Sequence, residues 1–481
     1  MKDIQIALTF DDVLLKPKYS EVLPTEVNVK TSLSKKFNLN IPIMSAGMDT
    51  VTELEMAFNM ALCGGVGVIH KNLSIAQQAN LIKQLKNFKN GFFYSIMAFE
   101  SNNKIADIKA KIFDQNFDDC ILVTDNSAIV NIVSKFDLEN IKYDNDTTLN
   151  KIPHKKMHFV SESDQLEDIL ELMQKSNLDY LPVLNESKES IVAIAKKRYL
   201  IAYLNNNSNA IYDYDNRLKV CGAVGVDNNS IERIKSLYAA NADAIVIDCA
   251  HGHSKKVIDL VKDAKKYFPK IFIIAGNVVT KDAVEDLIDA GADAIKVGVG
   301  PGSICTTRSV SGVGYPQFSA ILECSQIAYK NNVSIIADGG IKTSGDITKA
   351  LAAGADVVML GSLLAGCEES PSEKVLYNDK YYKKYRGMGS IAAMKKGSAD
   401  RYGQAGLKKF VAEGVEGLIP YSGFVKDQIY QLIGGLKSGM GYVGSKSISE
   451  LQSKAEFVQQ TGIGINESKV HSITLVDSKN K

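Results

Sequence analysis

Residues 280–308 read TKDAVEDLIDAGADAIKVGVGPGSICTTR. A helix-length segment ends at Ala290-Gly291-Ala292-Asp293, an apolar run rich in Val and Ile occupies 294–300, and a loop with glycines at 298, 300 and 302 presents Cys305. A short apolar run without polar alternation is the pattern of a strand buried on both faces in a parallel sheet. The same unit recurs, because Ala240-Asn241-Ala242-Asp243 and Ala353-Gly354-Ala355-Asp356 also end a helix just before a strand. Asn241, Gly291 and Gly354 fall at the position after the helix where a left-handed backbone is needed.

Further runs of this kind lie at 41–46, 64–70, 220–225, 244–250, 271–277, 334–340 and 357–362, most of them separated by helix-length segments such as TELEMAFNMALC at 52–63. With 294–300 they make eight βα units, which predicts an α/β fold of the (β/α)8 TIM-barrel type. Successive runs start about 23 to 40 residues apart, but roughly 150 residues separate the second from the third, far beyond loop length. An inserted domain is therefore expected. Residues 92–205 hold two similar blocks, each with a helical stretch, a strand (CILVT, YLPVL), a turn, a second strand (AIVNIV, SIVAIA) and a closing helix. The predicted division is a discontinuous barrel, 1–91 and 211–481, carrying an α+β insertion at 92–210. About 120 residues follow the last run, too many for a closing helix, and 380–425 is expected to form a flap over the active site.

The chain of 481 residues is 45% hydrophobic and 23% charged, the make-up of a globular protein with a large core. Its 56 Lys and Arg balance 55 Asp and Glu, so no global basic field draws in nucleic acid or an anionic membrane. No run approaches ~18 consecutive apolar residues and the opening MKDIQIALTFDD lacks a signal-peptide pattern, so a cytoplasmic location is expected. The seven cysteines, at 63, 120, 221, 249, 305, 324 and 367, form no CxxC pair and are read as free thiols.

Function in a TIM barrel sits at the C-terminal ends of the strands. In the loop after the sixth run, glycine backbone can approach a ligand closely, and the Cys305 thiol, flanked by Ser303, Thr306, Thr307 and Arg308, becomes a nucleophile if its pKa is lowered. A buried structural cysteine is the alternative, assigned to most of the other six. ADGGIKTSGD (337–346) and LGSLLAG (360–366) follow the seventh and eighth runs, where TIM barrels bind phosphate. The N–H groups of Gly339, Gly340, Gly361 and Ser362 can cradle an anion, and Asp338 can take ribose hydroxyls. His251 and His253 in IDCAHGHS (247–254) are read as adenine-stacking or helix-capping residues ahead of metal ligands, since no carboxylate completes a cluster.

These motifs, with LTFDDVLL (8–15), SAGMDTVTE (45–53), YRGMGS (385–390), AAMKKGSADRY (392–402), EGVEG (413–417) and GGLKSGMGY (434–442), resemble the IMP dehydrogenase family over the whole chain. The resemblance implies NAD-dependent oxidation of inosine 5'-monophosphate to xanthosine 5'-monophosphate, in guanine nucleotide biosynthesis, through a thioimidate on Cys305. It places Ser303, Gly340, Gly361, Ser362 and Tyr385 on the phosphate, Asp338 on the ribose, and Gly387, Met388, Gly389 and Glu413 along the base, with Gly339 and Arg386 among the substrate-binding residues. Asp248, with Gly298, Val299 and Gly300, is implied to hold the nicotinamide ribose of NAD. Arg401 and Tyr402 on the flap are implied to serve hydrolysis. A normal arginine is never deprotonated, so a relay through Thr307 and Glu413 stands beside Arg401 as the route for the proton.

The resemblance also implies a potassium ion on the carbonyls of Gly300, Gly302 and Cys305, completed by Glu467, Ser468 and Lys469 of a neighbouring subunit. Lys469 stands where the family has histidine. A homotetramer is implied, with pairing into an octamer left open. The insertion resembles a tandem CBS domain, whose relatives bind adenine or guanine nucleotides, but its Thr-x-x-Asp endings read SKFD (134–137) and KKRY (196–199), leaving Asp137 as the one matching carboxylate. Two rival readings are GMP reductase, which normally lacks both insertion and Arg-Tyr flap, and a CBS-based nucleotide sensor on an inactive barrel.

Overall fold

Eight parallel strands close on themselves in the computed structural model, which describes residues 4–114, 120–126, 128–140, 144, 146–153, 157–468 and 470. They are β1 (Ile43–Ser45), β2 (Val66–Ile69), β3 (Val220–Val224), β4 (Ala244–Asp248), β5 (Ile273–Val278), β6 (Ala294–Val297), β7 (Ser334–Asp338) and β8 (Val357–Leu360). Each predicted run overlaps one of them. The order follows the chain, β8 pairs with β1, and β2 pairs with β3 across the insertion. Ile43, Val68, Ile245, Ile274, Ile336 and Val358 are fully buried, as strands covered on both faces require.

The repeated turn at the opposite end of the barrel has a physical reason. Asn241, Gly291 and Gly354 adopt φ of 65°, 103° and 109°, and the aspartate two residues later reaches back to the preceding strand. Asp243 accepts from the Val220 N–H at 2.7 Å, Asp293 from Ile273 at 2.7 Å and Asp356 from Ile335 at 2.8 Å. Each turn thus pins the register of two neighbouring strands.

Burial pushes the Asp356 carboxyl up from 3.8 to about 6, against the hydrogen bonds from Ile335, Ser334 and Gln452. A folded-state value above the unfolded one means that the folded protein holds this proton more tightly, so the contribution of Asp356 to stability falls as pH rises from about 4 through 6. Asp356→Asn keeps an acceptor for Ile335 without the buried charge. We expect it to raise stability by about 1–3 kcal/mol at pH 7.5 and by much less at pH 4, read from urea midpoints at the two pH values. A destabilised variant at pH 7.5 would contradict this.

The insertion leaves the barrel after β2 as two small sheets. Ala98–Glu100 lies parallel to Cys120–Asp125, which pairs antiparallel with Ala128–Ser134. The second sheet contains Val160–Ser161, Tyr180–Leu184, Ile191–Lys196, Phe92–Phe93 and Phe88–Lys89. The hairpin of Phe88–Lys89 with Phe92–Phe93 straddles the boundary expected at 91/92, so the sheet begins slightly earlier than the sequence suggests. Phe58 of the barrel meets Phe88 and Tyr199 edge-on at ring-centroid distances of 4.7 and 4.8 Å.

Tyr199 stands where KKRY departs from Thr-x-x-Asp; it is 2% exposed and packs this joint. The surviving Asp137 accepts from the backbone and hydroxyl of Ser134, at 2.9 and 2.7 Å. Beyond β8, strands Lys374–Tyr377, Lys380–Arg386 and Glu416–Pro420 form an antiparallel sheet that frames the flap, including a helix at Ile391–Lys396 and a 3-10 turn at Ser398–Tyr402. No helix among the described residues is long and apolar enough to cross a membrane.

Candidate active site

Of the seven cysteines, six are buried and Cys305 alone is partly exposed. Burial pushes the thiols of Cys63, Cys324 and Cys367 up to about 12, which makes them inert at neutral pH. Cys305 instead sits on the loop after β6, and its Sγ donates to Thr307 Oγ1 at 3.2 Å. The loop is zipped to the flap: Thr306 N–H donates to Glu413 O at 3.0 Å, Val415 N–H to Ile304 O at 3.0 Å, and Glu413 N–H to Gly389 O at 3.0 Å. The flap backbone therefore fixes where the thiol points.

Two adjoining cavities of about 130 and 250 Å³ open on either side of this loop. The larger is lined by Ser303, Asp338, Gly339, Gly340, Gly361, Ser362 and Tyr385, so the two glycine loops after β7 and β8 converge as predicted. The smaller holds Cys305, Thr307, Asp248, Gly298, Val299, Gly300, Gly302, Gly387, Met388, Gly389, Arg401, Tyr402 and Glu413. A third cavity of about 670 Å³ continues past Thr307 and Glu413 to Ala250, His251 and Ser254. His251 lines it, whereas His253 pairs with Asp286 at 2.7 Å, which is neither of the roles expected for it.

A charged network runs through the barrel mouth. Lys296, 1% exposed in the middle of β6, bridges Asp248 on β4 at 2.8 Å and Asp338 on β7 at 2.5 Å. Asn277 Nδ2 donates to Asp338 at 2.9 Å and to Gly298 O at 2.7 Å. A lysine buried this deeply needs both carboxylates to remain charged without a large penalty. Asp248 also pairs with the Arg401 guanidinium, while the Arg401 carbonyl accepts from Ala250 N–H at 3.0 Å. Burial pushes the Asp248 carboxyl up, but Arg401 and Lys296 together hold it down at about 2. Burial works against the Arg401 cation too, and Asp248 overrides it, raising its pKa above the ordinary arginine value. Tyr402, buried beside it, is pushed up to about 12.

One predicted contact is displaced. Arg386 lines neither nucleotide-sized cavity; its guanidinium grips Asp49 through Nε at 3.0 and 3.2 Å and Nη2 at 2.5 Å. It follows Tyr385 on a strand, and successive strand side chains point to opposite faces. Arg386 thus anchors the flap sheet to the loop after β1. Glu467 and Ser468 lie at the end of the helix Gly462–Glu467, away from the cysteine loop of their own chain in sequence, and Lys469 lies outside the described residues. Among the described residues, the carbonyls of Gly300 and Cys305 accept no hydrogen bond, which suits a loop with oxygen ligands to offer a cation. Sequence reasoning missed Lys296, Asn277, Gln317 and Met48, all of which line these cavities. Lys296 had a signal, a lone charge inside an apolar run.

Fold and site together define a (β/α)8-barrel enzyme in which a presented thiol stands between a glycine-lined cradle and a flap-covered, carboxylate-bearing cavity. The family model for the IMP dehydrogenase / GMP reductase domain matches residues 7–471. The chain is 45% identical to inosine-5'-monophosphate dehydrogenase of Aquifex aeolicus, over 98% of this chain and 97% of the relative, and 45% identical to that of Bacillus subtilis, over 97% and 96%. It belongs to the IMP dehydrogenase / GMP reductase family. A solved structure of a cysteine-to-alanine variant of GMP reductase from Trypanosoma brucei, in complex with guanosine 5'-monophosphate, matches with a TM-score of 0.74 and 37% identity, covering 98% of this chain and 99% of that one. A reductase can therefore match this chain end to end, and the insertion does not by itself separate oxidation from reduction.

Proposed function

We propose that the chain is an NAD-dependent dehydrogenase that oxidises inosine 5'-monophosphate to xanthosine 5'-monophosphate through a covalent adduct on Cys305. The observation that carries this is Cys305, the one accessible thiol, set between the two anion loops and the Arg401–Asp248 pair. Ser303, Gly340, Gly361, Ser362 and Tyr385 hold the phosphate, with Gly339 beside them. Asp338, oriented by Lys296 and Asn277, takes the ribose hydroxyls, and Gly387, Met388, Gly389 and Glu413 flank the base. The Cys305 sulfur adds to C2 of the purine, C2 becomes tetrahedral, and loss of hydride restores conjugation. NAD, when bound, supplies the hydride acceptor. Its ribose suits Asp248, Gly298, Val299 and Gly300, and its remainder suits the cavity lined by Ala250 and His251.

The guanidinium of Arg401 is seated on Asp248, which supports a reading in which flap and dinucleotide take that carboxylate in turn. With the flap down, Arg401, Tyr402 and the Thr307–Glu413 pair surround Cys305 and admit one reactive water to the thioimidate. Paired with Asp248, Arg401 stays a cation; it orients the water and stabilises the developing charge, and Thr307 with Glu413 carries the proton. Carbonyls of Gly300, Gly302 and Cys305, with Glu467, Ser468 and Lys469 of a neighbouring subunit, would hold a potassium ion, which would order the loop. A shared site of this kind requires an oligomer, and the assembly we assign is a homotetramer. We assign the catalytic barrel to 1–91 and 211–481 and the CBS pair to 92–210, where Asp137 is the residue left to contact a nucleotide ribose.

The purified chain should produce NADH from inosine monophosphate and NAD, and more slowly once potassium is removed. It should not oxidise a reduced nicotinamide cofactor with guanosine monophosphate. Absorbance of the reduced nicotinamide reads both directions. Turnover in the second mixture alone would make the chain a reductase.

A further inference from the structure

The residue before Arg401 is fastened to the barrel by a separate buried ion pair. Asp400, with its side chain 4% exposed, pairs with Nζ of Lys71, 7% exposed, in the loop after β2. Its other oxygen accepts from Val226 N–H, at 3.0 Å, in the loop after β3. Asp227 stands 3.8 Å from the same ammonium and is one-third exposed. Asn72, the next residue after Lys71, donates to Ala393 O of the flap helix at 3.4 Å and to Asp49 at 3.0 Å. None of Lys71, Asp400 or Gly225 lines the cavity that holds Cys305, and of the three only Asp400 borders the third cavity, beside Ala250 and His251. These contacts lie beside the reacting atoms without touching them.

Gly225, at the end of β3, supplies a second observation. A Cβ built there overlaps Asp400 Oδ2 and Lys71 Nζ, and the atoms nearest to it all belong to these two side chains. Its φ lies outside the left-handed range, so the backbone itself tolerates alanine. The position is glycine because the flap carboxylate and the lysine occupy the space a side chain would take. Both charges fill that space when the flap is seated.

We propose that Lys71 and Asp400 form a latch, with Gly225 as its seat, that sets how often the flap is closed and hence whether Asp248 is held by Arg401 or free for the dinucleotide. Lys71, Asp400 and Gly225 are positioning residues. This inference rests on the reading of Arg401 as the flap group that replaces the dinucleotide. Removing one charge leaves its partner buried and uncompensated only in the closed state, so closure weakens while the open state is untouched.

Two variants reach the latch by different physics, Lys71→Met by removing the charge and Gly225→Ala by filling the seat. Hydrogen exchange on the ligand-free full chain reads the latch without turnover. Amides of 398–404 should be protected in the unaltered chain and exchange about ten- to a hundredfold faster in both variants, with β4 and β6 amides unchanged. In turnover, both variants should keep the first-turnover burst of NADH, lose about tenfold in kcat and gain apparent affinity for NAD. A merely structural defect lowers burst and kcat together. Unprotected flap amides in the unaltered chain, or protection unchanged in both variants, would overturn the latch. Failure of the functional reading looks different, as absence of NADH from the unaltered chain whatever its exchange pattern.

Discussion

Cys305→Ala abolishes NADH production from inosine monophosphate and NAD while leaving nucleotide binding nearly intact. The thiol contributes a bond that exists only during the reaction, so its loss removes transition-state stabilisation without removing uniform binding. The proposed phosphate cradle of Gly340, Gly361 and Ser362 and the Lys296-oriented Asp338 line a cavity that Cys305 does not border. The hydrogen bond lost is a weak one, from sulfur to Thr307. We expect kcat to fall by roughly 10³-fold or more and the dissociation constant for inosine monophosphate to change by less than about threefold. Single-turnover absorbance and equilibrium titration of the nucleotide measure the two quantities. Retained turnover would remove Cys305 as the nucleophile, and lost binding would make it a structural residue of the cradle. Cys324→Ala is the matched control, because that thiol is buried in the helix Gln317–Lys330 and absent from the cavity linings.

The barrel was legible because its strands are apolar on both faces and because three turns share one solution. The Ala-x-Ala-Asp turn repeats since Asp243, Asp293 and Asp356 each cap the first residues of the neighbouring strand, a local device that leaves a local signature. The cysteine loop and the phosphate loops were legible for the same reason, each being a continuous segment at a strand end. What stayed hidden is made of pairs distant in sequence. Arg386 meets Asp49 across 337 positions and Lys71 meets Asp400 across 329. Arg386 lies beside motif residues that do line the cavity, and strand alternation sends its side chain the other way. Tyr199 shows the converse, since the departure of KKRY from a nucleotide-binding ending coincides with a packing role between barrel and insertion.

Arg401→Gln separates the two halves of the reaction. The substitution keeps the stem to Cδ and a polar end, shortens the side chain and removes the charge that pairs with Asp248. In the proposed mechanism hydride transfer takes place with the flap lifted and Asp248 free, so it should need neither the guanidinium nor its pairing; the first turnover should release one equivalent of NADH per site at an unchanged rate. Hydrolysis needs the flap down, with a cation near the developing charge at C2, and should slow by about 10²-fold or more. The covalent adduct then accumulates, and the burst is followed by a stall. Apparent affinity for NAD should rise at the same time. In the unaltered chain Arg401 competes for Asp248, and a binding site open in only a fraction of molecules binds its ligand more weakly by that fraction. The variant weakens the competitor, so tighter NAD binding and slower turnover arise from one cause. Mass spectrometry of the quenched reaction tests the accumulated adduct on Cys305 directly. Loss of the burst itself would place Arg401 in substrate binding or hydride transfer, and a burst with unchanged steady-state turnover would leave the proton and the water to Thr307 and Glu413 without any help from the flap.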